Sequence, residues 1–188
     1  MLLDVSPASA DPVPAFPCHF SGSGLELKWR DDTTSSSYSS VASNSAAAWN
    51  NSAAQVHLTK VSSGANMLLE SPNFGPIING IESDGVTYTV VNGGSYDPVC
   101  TDGLWRLSPH VAINRWYAEG QDDGSADSAA QRQSTLAHEI GHALGLAHGT
   151  AGSCPNVALM DPETLRRWNT CRINTPQDRD IQRANIIY

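Results

Sequence analysis

The chain has 188 residues, a length that fits one domain with a real core, and its 40% hydrophobic content is too high for a disordered segment. Charged residues reach only 16%, too few for a long coiled coil, and no apolar run approaches the roughly 20 residues of a membrane span. Eleven Lys and Arg against nineteen Asp and Glu leave a net charge of −8, with Lys28 and Lys60 the only lysines, so a surface built to displace phosphate counterions is excluded.

Residues 1–24 contain Pro7, Pro12, Pro14 and Pro17 and form an irregular leader that wraps the surface or stays mobile. Ala8-Ser9-Ala10 has the small-x-small form of a signal-peptidase site, although the residues before it lack a basic segment and a full apolar core. Leu25 to Trp29 alternates apolar and polar residues, which predicts a strand. Ser36 to Ala54 carries Val41, Ala48 and Trp49 at helical spacing and predicts an amphipathic helix. Strands follow at Val56–Val61 and Asn66–Glu70. Residues 71–104, dense in Gly, Pro, Asn and Asp, read as loop with one strand at Val86–Val91. His110–Tyr117 reads as a further strand and Glu119–Gly124 as a turn. A long helix starts near Asp127 or Ser128, where Ser128 and Gln131 have capping-box spacing, and stops at Gly145. Residues 149–174 read as irregular. Thr175-Pro176-Gln177-Asp178 starts a last helix with Thr175 as its cap, running to about Ile187. There is no internal repeat, and the order of elements indicates a mixed α and β domain.

The chemistry is concentrated in residues 138–148, which read His138-Glu139-Ile140-Gly141-His142-Ala143-Leu144-Gly145-Leu146-Ala147-His148 and match H-E-x-x-H-x-x-G-x-x-H. At this composition the pattern arises by chance in on the order of one in 10⁵ shuffled chains. His138 and His142 are one helical turn apart and project from one face, which suits two nitrogens about 2.0–2.1 Å from a zinc ion. Glu139, one position on, points beside the metal rather than at it. Gly145 can adopt positive φ and end the helix, so that the chain turns and His148 becomes the third ligand. Three protein ligands leave an open position, the mark of a catalytic rather than a structural zinc site.

This segment resembles the metzincin clan of zinc endopeptidases. Ala158-Leu159-Met160-Asp161-Pro162 falls where the clan has its methionine turn, with Met160 as the floor beneath the metal. The Met-x-Pro form is more similar to matrixins than to astacins or serralysins, which carry a Tyr where this chain has Pro162. Cys154 and Cys171 flank that turn much as in snapalysins, although those enzymes use Asp as third ligand where this chain has His148. The resemblance covers roughly residues 25–188. It implies an α+β metzincin-type catalytic domain: a twisted, mostly parallel sheet with an antiparallel edge strand, an active-site helix and a C-terminal helix. It also implies a Zn²⁺-activated water with Glu139 as general base, and an extended protein or peptide substrate added antiparallel to an edge within residues 86–108. The specificity pocket would be built from Gly149 to Arg167. Asp180 either braces the methionine turn, as the matching acid does in matrixins, or with Asp178 favours a helix N-terminus.

Four cysteines without a C-x-x-C pair point to two disulfides and an oxidising compartment, hence secretion. Of the three pairings, Cys18–Cys100 with Cys154–Cys171 is expected; Cys18 otherwise suggests a switch thiolate on the metal, but the flanking Arg, Gly and Asp of the matrixin switch are missing. Asp122, Asp123 and Asp127 admit a Ca²⁺ reading beside the plainer one of a solvated turn with a helix cap, and their spacing misses the EF-hand pattern. His19, His57 and His110 read as ordinary structural or surface histidines, and the five tryptophans as core or pocket-wall residues. Asn50-Asn51-Ser52 is a glycosylation sequon. The chain is expected to be a monomer without a nucleic-acid partner, and a proteinaceous inhibitor is left open. The competing function classes are a catalytically silent zinc-scaffold binding module and a metal-stabilised structural domain; an intact Glu139 beside an open three-histidine site argues against both.

Overall fold

The computed structural model describes residues 11–91, 98–150 and 153–188; the Ala8-Ser9-Ala10 site and residues 151–152 of the expected pocket segment lie outside them. Strand β1 (Leu25–Asp32) leads through helix α1 (Ser36–Asn50) to β2 (Val56–Lys60) and β3 (Met67–Glu70). Two-residue strands β4 (Ile77–Ile78) and β5 (Ile81–Glu82) form a small hairpin before β6 (Gly85–Tyr88). A second hairpin, β7 (Cys100–Thr101) and β8 (Leu104–Trp105), precedes β9 (His110–Ile113). The helical turn α2 (Arg115–Ala118), helix α3 (Ala129–Ala143), a π-helical segment (Leu165–Thr170) and α4 (Asp178–Ile187) complete the chain.

The main sheet has the order β2-β1-β3-β9-β6. β1 runs parallel to β2 and β3, β3 runs parallel to β9, and β6 closes the sheet antiparallel to β9, pairing Gly85 with Ile113 and Tyr88 with His110. This is a mixed α+β fold with a mostly parallel sheet and an antiparallel edge strand. Alternation places Leu27 and Trp29 of β1, Val56 and Leu58 of β2, and Met67 and Leu69 of β3 in one core with the helices. The small residues Ala42, Ser45 and Ala46 on α1 let it lie against α3, where the Trp49 indole donates to the Ala137 carbonyl at 3.0 Å.

Several boundaries differ from the sequence reading. α1 ends at Asn50 rather than Ala54, because the Asn50 side chain leaves the helix to exchange two hydrogen bonds with the Leu58 backbone, at 2.9 and 2.7 Å. The sequon asparagine is therefore engaged in joining α1 to β2. The expected strand His110–Tyr117 stops at Ile113: buried Asn114 accepts from Trp116 and Phe74 backbone N–H and donates to Gly75 and Ser83 carbonyls, which turns the chain into α2. The strand expected at Val86–Val91 starts at Gly85 and ends at Tyr88. Residues 149–174 are not wholly irregular, since Leu165–Thr170 is helical. The cap of α4 is Gln177, not Thr175, in a capping box with Asp180. Ser128 caps α3 as expected, accepting from the Gln131 N–H at 3.2 Å.

Residues 11–24 wrap the surface and are held to it. Val13 is fully buried, Ala15 bridges to Leu146, and the Phe16 N–H donates to the Gly145 carbonyl at 2.7 Å. Both expected disulfides are formed, Cys18–Cys100 and Cys154–Cys171. No helix among the described residues is long and apolar enough to cross a membrane.

Candidate metal centre

Helix α3 presents His138 and His142 from its last turns, and Gly145, at φ 92, ends it. A Cβ at Gly145 would lie 2.7 Å from the His19 Cβ, so glycine is required here both by conformation and by contact. The reversed chain brings His148 back. Ligand nitrogens of His138, His142 and His148 all lie within 4.8 Å of one another. The Nε2 atoms of His142 and His148 are 3.1 Å apart, close to the roughly 3.3 Å expected of two tetrahedral ligands about 2.0–2.1 Å from zinc. Among the described residues no other trio of His, Cys, Asp and Glu converges in this way.

Backbone carbonyls set the orientation of two rings. His138 Nδ1 faces the Leu159 carbonyl at 2.8 Å and His142 Nδ1 faces the Leu146 carbonyl at 2.7 Å. A carbonyl only accepts, so Nδ1 carries the hydrogen in each and Nε2 keeps its lone pair for a metal. Burial lowers all three histidines: His138 well below the ordinary value, with Arg167 adding to it; His142 to about 3, with His148 adding to it; and His148 itself. Neutral imidazole is the form that binds a metal. The donor set and its spacing therefore fit zinc.

Glu139 is 5% exposed and lies beside the trio. The Thr87 hydroxyl of edge strand β6 is 2.7 Å from its carbonyl oxygen and 3.0 Å from its carboxylate Oε2. A Cβ at Gly85 would come within 2.8 Å of the Glu139 carboxylate, so glycine lets the edge strand approach α3 this closely. Burial first, and then Asp84, push the Glu139 carboxyl up to about 8. A dication held by the three imidazoles would act in the opposite sense, since a nearby positive charge favours the carboxylate.

The expected methionine turn packs under α3. Met160 is buried, and a Cβ at Gly141, inside the histidine motif, would overlap its sulfur. Asp180 is fully buried between this turn and the start of α4. Its carboxylate accepts from Leu159 N–H at 2.7 Å and Met160 N–H at 3.2 Å, and from the Gln177 N–H at 2.8 Å as the capping box of α4. Burial pushes it up to about 6 against these three donors.

Some residues at the centre carry no sequence signal. Arg167, 1% exposed, donates to the Asp161 carbonyl at 2.7 Å, Ser134 Oγ at 3.1 Å and Thr164 Oγ1 at 3.1 Å, and its Nη1 lies 3.3 Å from His138 Nδ1. Its nearest carboxylate is Asp84, at 3.7 Å, which also accepts from the Thr164 hydroxyl. Phe16 stands at the other end of the cleft, its ring centroid 5.2 Å from that of His142. The acidic turn adjoins the cleft: Asp122, Asp123 and Asp127 line a neighbouring cavity with Glu82 and Asp84, and burial, then Asp84, push Asp127 up to about 6. His19 hydrogen-bonds the Phe20 carbonyl, His110 pairs with Glu70 at 2.6 Å, and neither joins the centre. Trp29 and Trp49 are core residues, and the Trp105 indole donates to the Ala143 carbonyl at 2.8 Å, behind the metal-binding helix.

Residues 111–164 match the family model described as metallopeptidase family M12B, reprolysin-like. Two solved structures of myroilysin align at 18% and 19% identity, covering 69% and 82% of this chain and 52% and 54% of theirs, each with a TM-score of 0.43. This chain spans about half the length of those structures. No curated protein matches it. The matched segment contains the whole histidine motif and Met160, and with the converged imidazoles it supports a metallopeptidase of metzincin type.

Proposed function

We propose that this chain is a secreted zinc endopeptidase, with residues 25–188 as its catalytic domain and Glu139 as general base. The observation that carries the reading is the convergence of three imidazoles beside a buried carboxylate, in a cleft bounded by β6, the outermost strand of the described sheet. His138, His142 and His148 would hold zinc, which supplies Lewis acidity to polarise the scissile carbonyl and acidify a water. The chain's own residues do the rest. Carbonyls of Leu159 and Leu146 hold two imidazoles in the ligating tautomer. Glu139, held by Thr87, takes a proton from water at its carboxylate and delivers it to the leaving amine. Edge strand β6 offers backbone N–H and C=O groups to an extended peptide, which would add as a further strand. Two disulfides and an acidic, lysine-poor composition support secretion. The Met160-Asp161-Pro162 turn and the Cys154–Cys171 loop support a matrixin-like build with a snapalysin-like C-terminal part.

The test is digestion of a diverse peptide mixture by the zinc-loaded protein, read by mass spectrometry beside Glu139→Gln. Cuts inside peptides by the wild type, reduced by roughly 10²–10⁴-fold in a variant that retains zinc, are expected. Equal cutting by both would refute Glu139 as base, and no cutting by a zinc-loaded wild type would favour the silent binding module.

A further inference from the structure

We propose that Phe16 is a specificity-determining residue: beside Ala147 it forms an apolar subsite for a substrate side chain on the N-terminal side of the scissile bond. This rests on the reading of the cleft as a peptide-binding site. The two ends of the cleft differ in chemistry. Asp84, which accepts from the Thr135 hydroxyl, lies toward the start of α3, where Ile81, Glu82 and Pro162 also line the cleft; Phe16 and Ala147 lie toward the His142 end, and the three histidines lie between. Phe16 is not a loose leader residue that happens to lie there. Its N–H donates to Gly145, the Ala147 N–H donates to Pro14, and Ala15 bridges to Leu146. Two residues on, Cys18 is joined to Cys100. On either side Val13 and Cys18 are fully buried, whereas Phe16 is only partly buried, its ring tilted against His142 and 6.1 Å from the Trp105 ring. An aromatic ring fixed in a cleft and still partly in water gains by being covered with an apolar group.

The direction of the substrate follows from the edge. β6 runs from Gly85, beside Thr135 and Glu139, toward Tyr88, in the same sense as α3 runs from Thr135 toward the His142 end where Phe16 lies. Antiparallel pairing is the more stable mode per residue. A peptide paired antiparallel to β6 places the residues before its scissile bond at the Phe16 end and those after it at the Asp84 end.

The experiment uses two soluble peptides that differ only by Phe or Gly at one position. Each is titrated calorimetrically into zinc-loaded Glu139→Gln protein, into Phe16→Ala/Glu139→Gln and into Phe16→Leu/Glu139→Gln. The Phe peptide should bind about fivefold to tenfold tighter than its Gly partner to the first. That preference should vanish with Phe16→Ala and return with Phe16→Leu. Melting curves and zinc content are measured for each protein, and Phe16→Gln replaces the alanine variant if the latter does not fold. Equal binding of the two peptides by the Glu139→Gln protein, or a preference that survives loss of the ring, would overturn the proposal. Wild-type digestion adds direction: cuts C-terminal to large apolar residues support it, and large apolar residues confined to the other side of the cut overturn it. If the wild type cuts nothing, the peptidase reading fails, while the binding comparison still decides the role of Phe16.

Discussion

Asp180 joins the last helix to the metal centre, and its removal has a magnitude that follows from the structure. The carboxylate is fully buried and accepts from three backbone N–H groups, of Leu159, Met160 and Gln177. Hydrogen bonds to a charged group contribute about 1.5–3 kcal/mol each, and a buried donor left unpaired costs about 1–3 kcal/mol. These effects share one carboxylate and do not add in full, so Asp180→Ala should destabilise the fold by about 3–5 kcal/mol. At roughly 2–4 °C per kcal/mol for a chain of this size, Tm should fall by roughly 6–20 °C. Asp180→Asn keeps the shape and one acceptor oxygen but sets an N–H₂ group against backbone donors, so an intermediate loss is expected. The effect should reach the metal as well, because Leu159 donates its N–H to Asp180 and offers its carbonyl to His138. Loss of outer partners of this kind weakens metal binding about 10–100-fold. Urea unfolding of metal-free protein followed by tryptophan fluorescence measures the first quantity, and zinc competition against a chelator measures the second. An Asp180→Ala protein within about 1 kcal/mol of wild type, with unchanged zinc affinity, would refute the coupling of α4 to the methionine turn.

Two further outcomes follow from other parts of the fold. Burial raises the Asp31 carboxyl, but hydrogen bonds from Lys60, Ser39 and Thr33 outweigh it and hold the group well below its usual range. A folded pKa below the unfolded value means that this stabilisation is present above about pH 4 and is lost as pH falls further. Asp31→Asn should therefore flatten the acid limb of metal-free stability by about 1 kcal/mol between pH 5 and pH 2, given that Lys60 is half-exposed; an unchanged limb would show that Asp31 does not drive it. Gly145→Ala forces an L side chain into φ 92 and against His19, so a loss of about 2–4 kcal/mol is expected, along with weaker zinc retention on dialysis. A melting curve that matches wild type would contradict the need for glycine at that position.

The parts of the fold that could be read from the sequence are those set by local rules. The β1-α1-β2-β3 stretch follows alternation and helical periodicity, and its strands lie close to where the pattern puts them. Errors fell where a long-range bond overrides the local pattern. Asn50 leaves α1 for β2, and Asn114 stops a strand of good β-formers by tying residues 74–83 to the start of α2. Thr175-Pro176 is a sound helix start in isolation, but Asp180 serves the methionine turn and the Gln177 N–H with the same oxygen, which shifts the cap by two residues.

The site divides in the same way. His138, Glu139, His142, Gly145 and His148 lie within eleven consecutive residues, so helical spacing together with a glycine turn predicts their convergence. Met160 and Asp180 could be placed only through the resemblance. Gly85, Thr87, Asp84 and Arg167 could not be found at all, because each acquires its place from register or tertiary packing. Sliding β6 by one residue against β9 would carry the Thr87 hydroxyl to the opposite face of the sheet, away from Glu139. Arg167 sits in a segment with no apolar period and is buried only because Ser134, Asp161 and Thr164 meet its donors. Phe16 looks like one apolar residue in a proline-rich leader. Only the bonds of Pro14 and Phe16 to the loop between His142 and His148 bring its ring to the cleft. The converging histidines are thus encoded by spacing within one segment, whereas the other residues that line the cleft come from segments far apart in the chain, which is how one motif can serve clefts of different chemistry.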